Sequence, residues 1–355
     1  MDIRELLLLL IKSKGSDLHL MVGIPPTIRV DGSLSPLTIY PPLHKDILES
    51  MVFSILLPEQ KEMLLVNKEL DFAYTFNGQS EQDAGRFRIN VYFQQGTMSV
   101  AIRFLAPRVR TIEELNLPKI CGEFSKHKQG FVLVTGPSGH GKSSTLAAII
   151  NQINLNRLVH ILTIEDPVEY VYPKGSSIIS QREMGMDTHS WPMALRAALR
   201  EDPDVVLIGE MRDPETMQAA ITLAETGHLV FSTLHTNSAA QSIDRIVDSF
   251  GPEQKLQIRT QLASTLRGII SQRLLPKIGG GRIPAVEILI GTPAVASNIR
   301  DGKTHLIDSV IQTSKDIGMI TIDESLAGLV RDGVITLDDA MSYALREDEL
   351  LRLVG

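Results

Sequence analysis

Four short stretches combine glycines, carboxylates and histidines at spacings with chemical meaning. In "FVLVTGPSGHGKSSTLAAII", Gly136 is followed, after four intervening residues, by Gly141-Lys142-Ser143, after an apolar run and at the opening of a helix-forming segment. Glycines let successive backbone N–H groups converge on an anion, and a helix N-terminus adds positive potential. In that setting a lysine reaches the outer phosphates of a nucleotide, and the following hydroxyl faces Mg²⁺. The expected nucleotide-binding residues are Gly136, Ser138, Gly139, Gly141, Lys142, Ser143 and Ser144. His140, inside the loop, reads as solvent-facing.

Two carboxylates sit where such a loop needs them. "DVVLIGEMRD" places Glu210 at the end of an apolar strand, and "HILTIEDPVEY" places Glu165 and Asp166 at the end of another. Ligands of open α/β sheets bind at the C-terminal ends of the strands. One carboxylate is expected to orient and deprotonate an attacking water, and the other to help hold Mg²⁺ through its waters. Glu210 is favoured as the base, but the sequence leaves the division of labour with Glu165 open. The fourth stretch, "TGHLVFSTLHTN", sets His228 and His235 seven residues apart around an apolar run. As a strand this run spans roughly 23 Å, and an odd separation turns the two rings to opposite faces. One shared metal ion is therefore not expected, and on residues alone each histidine packs at or caps a strand end.

The elements that must position these groups read as two domains. Residues 1–105 look like a small α+β domain. A first helix carries "LLLLLI", strands follow in "SDLHLMV" and "PPTIRVDGSL" with an Asp31-Gly32 turn, and residues 44–65 look helical. A hairpin then alternates Phe87, Ile89, Val91 and Phe93 against Arg86, Arg88 and Asn90, returning through Val100, Ile102 and Phe104 with Arg103 opposite. Residues 106–118, with prolines near both ends, read as a linker. From 119 to 355, strands alternate with helices, which argues for a mostly parallel sheet. "DPETMQAAITLAETG" has Asp213 as cap, Pro214 at the first helical position and Gly227 at the stop.

Composition narrows the function classes. A net charge of −7 gives no general attraction to nucleic acid. The single cysteine excludes an internal disulfide framework and a four-cysteine zinc site, and suits a reducing cytosol. The "LLLLLI" run is too short to span a bilayer, and the acidic residues before it are unlike a signal peptide.

Taken together, "GPSGHGKSS", "TIEDPVEY", "LREDPDVVLIGEMRDPET" and "TLAETGHLVFSTLHTNSA" resemble the Walker A, Asp-box, Walker B and His-box segments of the secretion ATPase superfamily. These are the hexameric motors of type IV pili and type II secretion. The chain is most similar to the pilus-retraction branch, through "GSDLHL", "GRFRINVY" and "GMITIDESLAGLVRDGVIT" as well. The resemblance implies an α/β fold with a PAS-like N-terminal domain and a RecA-like P-loop ATPase domain. It implies a homohexamer using ATP and Mg²⁺ at the cytoplasmic face of the bacterial inner membrane. Its partners would be an inner-membrane pilus platform protein, pilin indirectly, and a paralogous ATPase. It places His228 and His235 near the nucleotide, one of them reading the γ-phosphate. It also makes Arg86, Arg88 and Arg103 candidate phosphate-charge partners supplied from another domain or subunit.

Two departures bear on direction. Assembly and secretion members usually carry a tetracysteine motif and a larger N-terminal region, which favours retraction here. Retraction members tend to have a segment like "AIRNLIRE", where residues 294–301 read "AVASNIRD", leaving an auxiliary or modified motor open. The rivals are a pilus assembly or type II secretion motor, a RecA-like nucleic-acid translocase, and a nucleotide-dependent regulator without steady turnover.

Overall fold

The computed structural model describes residues 2–30, 32–78, 84–105 and 108–355. Asp31 of the expected turn and the first two residues of the expected linker lie outside them. The chain forms two compact units: Met1–Arg108 with Pro167–Val171, and Val109–Asp166 with Tyr172–Gly355.

The first unit is built on an antiparallel sheet. Its strands are β1 (Asp17–Met21), β2 (Thr27–Val30), β3 (Ser33–Pro36), β4 (Glu69–Phe76), β5 (Gly85–Gln94) and β6 (Thr97–Phe104). They lie in the order β3-β2-β1-β6-β5-β4. Period-2 alternation decides which face is covered. Phe87, Ile89 and Val91 of β5 pair with Phe104, Ile102 and Val100 of β6 and enter the unit's core. The helix Ile3–Lys12 covers that core through Ile3, Leu6, Leu7 and Leu10, an i, i+3, i+4, i+7 stripe that accounts for the leucine run. Asp2 starts it by accepting the Arg4 N–H. The helical stretch expected over 44–65 is two helices, Lys45–Phe53 and Pro58–Asn67. Pro58 has no N–H to continue the first helix and instead opens the second.

The other sheet face carries the arginines. Arg88 and Arg103 are direct cross-strand partners, a like-charge pairing that is unfavourable alone. Acidic neighbours offset it: Asp71 accepts two bonds from Arg88 Nε (3.0 and 3.2 Å), and Asp17 accepts one from Arg103 Nε (3.0 Å). Arg86 donates to Thr75 Oγ1 (2.9 Å) and to the carbonyl of Val168 (2.7 Å), a residue of the five-residue segment belonging to this unit.

The second unit holds a mixed, mostly parallel sheet. Its strands are β7 (Gly130–Thr135), β8 (His160–Glu165), β9 (Ile178–Glu183), β10 (Val205–Ile208), β11 (Leu229–Leu234), β12 (Leu266–Pro276) and β13 (Arg282–Ile290). Their order is β13-β12-β7-β11-β10-β8-β9, with only the β12–β13 pair antiparallel. Central strands buried on both faces read as continuous apolar runs. In β7, Phe131 and Leu133 enter one core while Val132 and Val134 enter the other. The α/β reading of the sequence holds, with the β12–β13 hairpin added at one edge. A fourth cluster joins Leu275, Ile283 and Ala285 of that hairpin to the C-terminal helices Ile322–Arg331, Leu337–Tyr343 and Glu347–Val354. Among the described residues no helix is long and apolar enough to cross a membrane.

Candidate active site

The site forms where β7 gives way to the helix Lys142–Asn156. Gly136 has φ +142°, and a Cβ there would fall 2.3 Å from the carbonyl oxygen of Gln272, so only glycine fits. Gly141 caps the helix in the left-handed region. The buried Lys142 ammonium closes the loop on itself by donating to the carbonyls of Gly136 (2.8 Å) and Pro137 (2.9 Å). A strongly hydrated cation held by two neutral carbonyls is poised to exchange them for phosphate oxygens.

Strand register brings the second group of residues beside this loop. Leu234 pairs with Thr135, and Ile208 pairs with Ser232, so the residues just past β7, β11 and β10 meet at one end of the sheet. There the two ring nitrogens of His235 bridge loop and carboxylate: Nδ1 lies 3.4 Å from Ser138 Oγ, and Nε2 lies 3.4 Å from Glu210 Oε2. Nδ1 shares a hydrogen bond with the Ser138 hydroxyl, and Nε2 faces the carboxylate. Arg212 makes an ion pair with the other oxygen of Glu210. The backbone at Gly209 is fixed as well, its carbonyl accepting Thr233 Oγ1 at 2.7 Å.

Glu165 ends β8, the neighbour of β10, and accepts from Thr163 Oγ1 at 2.7 Å. His228 is not brought to the loop of its own chain. It precedes the opposite end of β11, where its carbonyl accepts the Gly130 N–H, a strand's length of roughly 20 Å away. Its Nδ1–H donates to the Leu223 carbonyl (2.9 Å) and so closes the end of the helix Pro214–Glu225. Arg86, Arg88 and Arg103 belong to the first unit and engage the partners described there.

The structure corrects the expectation that His140 faces solvent. It is half-buried, and its Nδ1 accepts the backbone N–H of Leu274 in β12 at 3.0 Å. Gln272 had no signal in the sequence. Its amide donates to the His140 carbonyl (2.8 Å) and accepts from Thr145 Oγ1 (2.7 Å), so one β12 side chain staples the loop to the first turns of the helix. Reading residues 266–290 as a hairpin would have pointed toward it.

Comparison with known proteins follows this geometry. A family model described as "Type II/IV secretion system protein" matches residues 76–318. The type IV pilus retraction ATPase PilT of Pseudomonas aeruginosa is 45% identical over 344 residues, covering 97% of this chain and 98% of that protein. A twitching motility protein of Neisseria gonorrhoeae is 44% identical over 326 residues, covering 92% of this chain and 86% of that one. The crystal structure of the pilus retraction motor PilT with bound ADP superposes with a TM-score of 0.92 at 44% identity, covering 99% of each chain. By sequence along nearly its whole length and by fold, the chain belongs to the type II/IV secretion system protein family.

Proposed function

We propose that this chain is a PilT-type motor: a homohexameric, Mg²⁺-dependent ATPase whose turnover drives type IV pilus retraction. The observation that carries the reading is the link from Ser138 through His235 to Glu210, set beside a lysine-closed phosphate loop. The PilT relatives, similar over almost the full chain, support the retraction assignment.

On ATP binding, Lys142 leaves the Gly136 and Pro137 carbonyls for the β- and γ-phosphate oxygens, and the loop N–H groups turn to the phosphates. Glu210 takes the proton of the water that attacks the γ-phosphorus; the bond to the ADP oxygen breaks and inorganic phosphate forms. Arg212 and His235 hold the Glu210 carboxylate in place through their contacts with its two oxygens. His235 rather than His228 senses the γ-phosphate, because it alone touches both the loop and the base. Among the described residues no three His, Cys, Asp or Glu side chains are gathered into a metal cage. Ser143, Glu165 and Glu210 would hold Mg²⁺ together with phosphate oxygens and water, the oxygen ligands it prefers. Bound Mg²⁺ would neutralise charge on the β- and γ-phosphate oxygens. In a ring, Arg86, Arg88 and Arg103 would offer guanidinium charge to a neighbouring subunit's phosphoryl group.

Hydrolysis relaxes the contacts made to the γ-phosphate and biases a two-state arrangement of the subunit. The ring would then act on an inner-membrane platform protein at the cytoplasmic face, returning pilins to the membrane. The purified chain is expected to sediment as a hexamer and to hydrolyse ATP only with Mg²⁺. Glu210→Gln should keep nucleotide affinity while losing at least about a hundredfold in turnover, the usual scale for a general base. Unchanged turnover in Glu210→Gln would remove Glu210 from the chemistry.

A further inference from the structure

An imidazole, that of His140, sits inside the phosphate loop. β7 ends its pairing with β12 at Thr135 and Ser271, so Leu274 lies beyond the ladder. Its N–H is taken up by His140 Nδ1 at 3.0 Å, while the His140 carbonyl accepts the Gln272 amide at 2.8 Å. One loop residue thus continues, with a side chain and a carbonyl, the edge that β7 no longer supplies. The far side of the ring rests edge-on against Tyr343 of the helix Leu337–Tyr343, centroids 6.0 Å apart at 61°. His140 is therefore the point where the phosphate loop, the β12 edge and the C-terminal helices touch.

We propose that His140 is a positioning residue for nucleoside di- and triphosphate binding, fixing the C-terminal half of the loop against β12 and Tyr343, and that it does so only as the neutral imidazole. A backbone N–H can bond to Nδ1 only through its lone pair, which assigns the Nε2–H tautomer. Protonation would set N–H against N–H at the Leu274 contact. The groups facing the ring are Arg273 of β12, Lys142 of the following helix, Arg282 of β13 and the uncharged Tyr343. Burial, then these cations, hold the His140 pKa below the ordinary 6.5. The anchor is therefore intact at neutral pH and is lost on acidification below that value. The inference rests on the loop being the nucleotide site.

The test is ADP affinity of the full chain, with a fluorescent ADP, followed from about pH 8 down to about pH 4.5, well below the range of an ordinary histidine. His140→Ala should weaken binding about tenfold at the higher pH, the scale of one hydrogen bond, with kcat at saturating ATP moving much less. His140→Asn places a carbonyl oxygen near the Nδ1 position, so it should restore affinity and bind with less acid loss than the wild type. His140→Ala binding like the wild type, His140→Asn failing to rescue, or equal acid loss in His140→Asn and the wild type would each overturn the proposal. A wild type that binds no ADP would overturn the nucleotide-site reading itself, a distinct result.

Discussion

At the scale of single residues, the chemistry divides into groups that announce themselves locally and groups that only the fold assembles. The glycines, Lys142 and Ser143 are legible because a phosphate loop is one continuous stretch. Glu210 and Glu165 are legible because each ends an apolar strand. His140 and Gln272 are not, because their contacts cross 132 to 134 residues of sequence and depend on a strand edge extending past its neighbour. His228 and His235 flank the two ends of β11, as their separation of seven residues around one strand implies. Glu287, fully inside the second unit, also escaped notice. It accepts the Ala239 N–H at 2.7 Å, and burial pushes its carboxyl up to about 7. A raised folded pKa means stability is greatest below the unfolded value of 4.5 and is lost as pH rises through about 7. Glu287→Gln keeps the acceptor without the charge. It should raise stability at about pH 8 by up to roughly 3 kcal/mol, the difference fading below about pH 5. Urea unfolding at the two pH values checks this; a Glu287→Gln variant less stable at the higher pH would contradict it.

At the scale of elements, the α/β alternation from β7 to β11 follows from apolar runs separated by capped helices. The helix Pro214–Glu225 shows how local the signal is. Asp213 Oδ1 accepts the Thr216 N–H at 2.8 Å, its Oδ2 accepts the Thr216 hydroxyl at 2.9 Å, and Pro214 occupies a position needing no N–H. Asp213→Ala should therefore cost about 1 kcal/mol in urea unfolding; a loss far below that would mean the cap is redundant. The β12–β13 hairpin was harder to see, since its buried edge carries Ser271, Gln272, Arg273 and Glu287 among the apolar residues. Those polar positions find tertiary partners, such as the Thr135 hydroxyl on Ser271 (3.0 Å) and the Asn237 carbonyl accepting from Arg273 (3.1 Å). The helical break at Pro58 was visible in principle, because proline at that position opens a helix as readily as it ends one.

At the scale of the whole molecule, the proposed function is conversion of ATP turnover at Glu210 into pilus retraction. Family membership and near-full-length likeness to PilT support it. Residues 294–301, where the sequence departs from the retraction pattern, form most of the helix Pro293–Arg300 capped by Thr292. The departure is thus one of side-chain identity on an intact helix. The measurement that tests the account most directly is the number of surface pili in cells lacking this gene, complemented with wild type or with Glu210→Gln. A retraction motor working through Glu210 gives excess, unretracted pili, returned to normal by the wild type and not by Glu210→Gln. Bald cells, or rescue by Glu210→Gln, would contradict it.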